Sequence, residues 1–123
     1  MRRLLANCTG AAAVESALVL PLAMLLLLGL VELGRVAWTQ SALNFAVQEA
    51  ARCASVTPGT CGSSSQIAAY AAGKAQGVGA TAANFSSVRL ACGVQITASV
   101  PYRFLAFRVF PTAPTIQART CRI

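Results

Sequence analysis

The chain has 123 residues, 56% hydrophobic and 11% charged, with a net charge of +7; this bounds it to one small domain and excludes a multidomain enzyme. A mean hydropathy of +0.63 excludes a disordered chain. There is no His and no Asp, and the only carboxylate side chains are Glu15, Glu32 and Glu49, so general acid–base catalysis and Zn, Ca or Mg sites lack their usual groups. We therefore expect no catalytic residue, no cofactor and no metal, and read the chain as a non-enzyme.

The chain opens on a basic stretch, with Arg2 and Arg3, and turns apolar over residues 11–31, where Glu15 is the one charge. As a helix this run spans about 31 Å at 1.5 Å per residue, enough for a bilayer core. The positive-inside rule keeps Arg2 and Arg3 cytoplasmic. A cleaved secretory signal needs a small-residue site beyond the run, and Glu32-Leu33-Gly34-Arg35-Val36-Ala37-Trp38 offers a poor one. A lipoprotein signal fails because Leu5-Ala6-Asn7-Cys8 precedes the apolar stretch instead of following it. What is left is an uncleaved anchor trimmed on its cytoplasmic side.

The residues around the start of the run, Gly10, Ala11-Ala12-Ala13-Val14-Glu15 and Ser16-Ala17-Leu18-Val19-Leu20-Pro21, resemble a type IV prepilin leader. Together with the Leu-rich run to Gly29, Val31-Glu32-Leu33-Gly34-Arg35 and Glu49-Ala50-Ala51-Arg52, they resemble the TadE-like pilins of tight-adherence pilus systems. The resemblance covers the first half well and the second half loosely, through paired cysteines and a late β region. It implies that a prepilin peptidase cuts after Gly10, that mature protein starts at Ala11, and that Glu15 becomes the fifth residue. It also implies a minor pilin or pseudopilin serving adhesion and biofilm formation, with the major pilin, other minor pilins and an inner-membrane assembly platform as partners. Its place would be the bacterial inner membrane, single-pass with the C-terminal head extracytoplasmic, and then the pilus or cell surface.

A glutamate inside an apolar span is expensive, about 2.5–3.5 kcal/mol for a central charge. Glu15 either reaches the headgroup region, pairs with the new ammonium of Ala11 at i,i+4, or pairs with that ammonium on a neighbouring subunit; given Gly10, the intersubunit role is favoured. Pro21 either bends the helix or is an ordinary tolerated membrane proline. No proline interrupts residues 32–54, so the helix is expected to continue to Ala54. Along that extension Val36, Leu43, Val47, Ala50 and Ala54 form one stripe, with Ser41, Gln48, Glu49 and Arg52 opposite. Trp38 is read as an interfacial anchor.

Turn formers from Ser55 to Ser65 end the long helix. A second helix is expected over residues 66–76, capped by Ser64 or Ser65 and ended by Gly77. Val94, Ile96, Ala98 and Val100 alternate with Gln95, Thr97 and Ser99 as a half-buried strand ending at Pro101, and Thr115–Arg122 is its antiparallel partner. The division expected is 1–10 leader, 11–54 transmembrane and assembly helix, and 55–123 head. The fold class is α+β, type IV pilin-like, with a small disulfide-stapled head.

Removing Cys8 with the leader leaves Cys53, Cys61, Cys92 and Cys121, an even number that suggests two disulfides in an extracytoplasmic domain. Three connectivities are possible; the one preferred is Cys53 with Cys61 and Cys92 with Cys121. Zinc is the rival, disfavoured because no two cysteines are two residues apart. Residues 102–111 mix Tyr102, Phe104, Phe107 and Phe110 with Arg103 and Arg108. They read as a core hairpin with solvated arginines, or as a surface binding nucleic acid or membrane. No carboxylate follows Glu49, so an anionic partner suits the head. One exposed patch of Arg103, Arg108, Arg119 and Arg122 would support such a binding head, and dispersal would weaken it. Asn84-Phe85-Ser86 fits a glycosylation sequon, a weak pattern.

Overall fold

The computed structural model describes residues 9–105 and 112–123. Its contacts divide the chain into two units, Met1–Gly34 and Arg35–Ile123, and helix α1 (Thr9–Val56) contributes to both. In the first unit α1 is long and apolar enough to cross a membrane, with none of its apolar window buried. Alanine and leucine supply the helix propensity. Pro21 sits inside the helix, where its missing N–H leaves the Ala17 carbonyl without an i→i−4 partner.

The second unit packs the end of α1 and a shorter helix α2 (Ser64–Lys74) against a three-stranded antiparallel sheet. Its strands are β1 (Phe85–Leu90), β2 (Gly93–Pro101) and β3 (Thr115–Arg122), in the order β1-β2-β3. Helix α1 offers Leu43, Ala46, Val47, Ala50 and Ala51, α2 offers Ile67, Ala71 and Ala75 beyond its end, and the sheet answers with Phe85, Ile96, Ala98, Val100, Ile116 and Ala118, all buried. The alanines let the backbones come close around the larger Leu43, Ile67, Phe85 and Ile96. Of the expected stripe, Leu43, Val47 and Ala50 are buried, while Val36 and Ala54 are partly buried against the core.

Three boundaries differ from expectation, and one strand is additional. Helix α1 runs two residues further, to Val56, and the Thr57 amide still donates to the Cys53 carbonyl at 2.9 Å before Pro58 stops it. The α2 cap is Ser63 rather than Ser64 or Ser65: Ser63 Oγ accepts from the Gln66 amide at 3.3 Å while Gln66 Oε1 accepts from the Ser63 amide at 3.1 Å. This reciprocal box places the helix start two residues early. Helix α2 ends at Lys74 instead of Gln76 because the Ala75 amide donates the last bond, to Ala71, and Gly77 takes a positive φ of 78° in the turn that follows. Strand β1 was not expected, since Phe85, Val88 and Leu90 do not alternate cleanly.

Candidate functional site

Gly10 and Ala11 lie in the first turn of α1 and are exposed, and residues 1–8 lie outside those described. Glu15 shares a shallow groove with Ala12, Ser16, Val19, Leu20 and Ala23, positions three and four apart that make one helix face. Ala12, Ser16 and Ala23 have small side chains, which is what lets a second helix approach closely in a membrane-like setting. The carboxylate therefore lies on a face that small side chains leave open to another helix. Around the helix Leu18, Leu22, Leu25, Leu26 and Leu30 are all 61–73% exposed. A monomeric soluble protein does not leave such a surface bare.

In the head, Tyr102 is buried and Phe104 packs partly buried against the core. Their rings meet edge-on at 5.2 Å, the Arg35 guanidinium lies 5.6 Å from the centre of the Tyr102 ring, and the Tyr102 amide donates to the Pro114 carbonyl at 2.8 Å. These contacts tie Tyr102 and Phe104 to the core where β2 ends. Leu105 is exposed. Phe107 and Arg108 lie outside the described residues. Helix α1 also grips the edge strand β3, where Gln40 Nε2 donates to the Gln117 carbonyl at 3.0 Å, and such cover blunts an open sheet edge.

Trp38 is 66% exposed. It shares one face of α1 with Ala42 and Phe45, and the three line a groove closed on its far side by Lys74 and Gln76. Phe45, 54% exposed, was not singled out by sequence, although its i,i+7 spacing from Trp38 is the signal that finds it.

Two disulfides join Cys53 to Cys61 and Cys92 to Cys121, the pairing preferred from sequence. The first is buried and ties the end of α1 to the approach to α2; Cys92 and Cys121 of the second are exposed and staple the β1–β2 turn to the end of β3. Among the described residues of the expected patch, Arg103 stands apart from Arg122. Arg103 follows Pro101, which pairs with Thr115, whereas Arg122 pairs with Val94. Seven steps of strand, about 23 Å at 3.3 Å per residue, separate those two ends of the ribbon. Arg89, left out of the sequence patch, instead shares a rank with Arg122 through Val94. Asn84 is held in place by its own amide, which donates to the Ser99 carbonyl at 3.0 Å and accepts from the Thr81 amide at 2.8 Å.

Residues 10–52 match the family model described as TadE-like protein. The match opens on Gly10, runs through the apolar stretch and ends on α1 at Arg52. Comparison with curated proteins and with solved structures finds no match.

Proposed function

We propose that this chain, TadE-like over residues 10–52, is a minor pilin or pseudopilin that takes part in assembling a tight-adherence pilus for surface adhesion and biofilm formation. A prepilin peptidase removes the leader after Gly10, leaving Ala11 as the mature N-terminus. The protein is then anchored once in the inner membrane with its head outside, and passes into the fibre by helix packing. Its partners are the prepilin peptidase, the major pilin, other minor pilins and the inner-membrane assembly platform. The role is assembly rather than catalysis.

One observation carries the reading: the TadE-like match takes in an apolar stretch of α1 whose side chains are uncovered, and within residues 11–31 the one carboxylate, Glu15, lies on a face with small residues. In hydrocarbon a charge on such a face is stable only with a partner, and the ammonium freed at Ala11 of a neighbouring subunit supplies one. The pair would hold subunits in axial register. In cells carrying the pilus system, Glu15→Ala should insert into the membrane at wild-type level and disappear from sheared fibres. Wild-type abundance of Glu15→Ala in fibres contradicts the register role.

A further inference from the structure

We infer that the end of the head sheet where β1 turns into β2 and β3 finishes is a docking surface for an anionic phospholipid bilayer. Arg89 pairs with Val94 and Val94 with Arg122, so three residues stand abreast and point to one face. Adjacent strands lie about 4.8 Å apart, which sets the two arginine positions about 10 Å apart. Both are exposed. On the opposite face of β1, Val88 and Leu90 are 56% and 49% exposed, although an edge strand is ordinarily blunted with polar or charged side chains. Arg119, also exposed, lies on this face further along β3. The end is rigid. Its turn is closed by the Leu90–Gly93 pair and stapled by Cys92–Cys121.

The mixture of groups selects the partner. Guanidinium forks match phosphate oxygens, and no carboxylate side chain follows Glu49 to oppose them. Beside Arg89 a cleft of about 140 Å³ is also lined by Ser64 and Ser87, whose hydroxyls hydrogen-bond each other at 2.8 Å, so that at the cleft's edge it is the Arg89 guanidinium that remains for a phosphate. A nucleic acid or acidic polysaccharide offers charge but nothing apolar to Val88 and Leu90. The ranks from Val88 to Leu90 also contain no aromatic side chain on which bases could stack. A bilayer offers both phosphates and an acyl boundary.

The test holds the full chain in zwitterionic phosphatidylcholine nanodiscs and measures co-flotation with added phosphatidylglycerol or phosphatidylcholine vesicles. We expect capture by phosphatidylglycerol alone, roughly tenfold or more weaker in R89Q/R122Q, since each cation near an anionic surface is worth about a factor of five. R89K/R122K should keep most of the capture, Leu90→Ser should lose part of it, and Arg103→Gln, at the other end of the ribbon, should change nothing. An intact Cys53–Cys61 disulfide and unchanged thermal unfolding certify each variant; if the double glutamine variant unfolds, Arg89→Gln alone decides. Equal capture by wild type and the glutamine variants overturns the inference. So does retention of duplex DNA by wild type, lost in R89Q/R122Q, without capture of vesicles.

Discussion

Gly93 and Gly73 show how differently one residue type is constrained in this head. Gly93 has a φ of 108°, and a Cβ there would run into the Arg122 carbonyl of the neighbouring strand, so Gly93→Ala combines backbone strain with a clash that only a shift of β3 relieves. Gly73 lies in α2 with open space where its Cβ would stand. Thermal unfolding should show Gly93→Ala destabilised by about 1–3 kcal/mol or more and Gly73→Ala stabilised by up to about 1 kcal/mol. At this scale the sequence was most legible where chemistry is rare. Four cysteines in the head-bearing part admit three pairings, and one carboxylate in an apolar run stands out unaided. Arg89 was not legible, because its neighbour Arg122 is brought beside it only by strand register.

The start of α2 and the end of α1 are fixed in different ways, and each has a test. Helix α2 begins in a capping box between Ser63 and Gln66, so Ser63→Ala should cost about 1 kcal/mol, read as a lowered unfolding midpoint, while Ser65→Ala should cost less. From sequence alone Ser64 and Ser65 are the expected caps and Ser63 is missed, although it is the one serine of the run with Gln three residues later, which is the signal that finds it. Helix α1 is tied down by the buried Cys53–Cys61 bridge, whereas Cys92 and Cys121 are exposed. Timed reduction with a small dithiol, followed by alkylation and peptide mapping, should label Cys92 and Cys121 well before Cys53 and Cys61; simultaneous labelling would contradict this order of accessibility. The β2 and β3 strands were visible as alternation of apolar and polar residues. Strand β1 was hidden because Ser86 and Ser87 stand together in it and Val88 and Leu90 face solvent, so burial does not imprint a period of two.

At the scale of the molecule, two units of opposite character share one helix. The apolar unit exposes a leucine-rich surface that needs a bilayer or other helices around it, and the head buries its own apolar core between α1, α2 and the sheet. The class of fold was readable because hydropathy changes abruptly after Val31 and turn formers begin at Ser55. The use to which the head is put was not, since composition reports that it is basic without reporting which arginines stand together. Processing at Gly10 is the step on which the proposed function rests, because cleavage there would create the ammonium proposed to answer Glu15. Intact mass and N-terminal peptide mapping, after expression with and without a cognate prepilin peptidase, test it most directly. The account predicts a mature chain beginning at Ala11 only when the peptidase is present, and no cleavage when Gly10 is replaced by a bulky residue. A chain that keeps Met1 in the presence of the peptidase, or one cut beyond Val31, would contradict it.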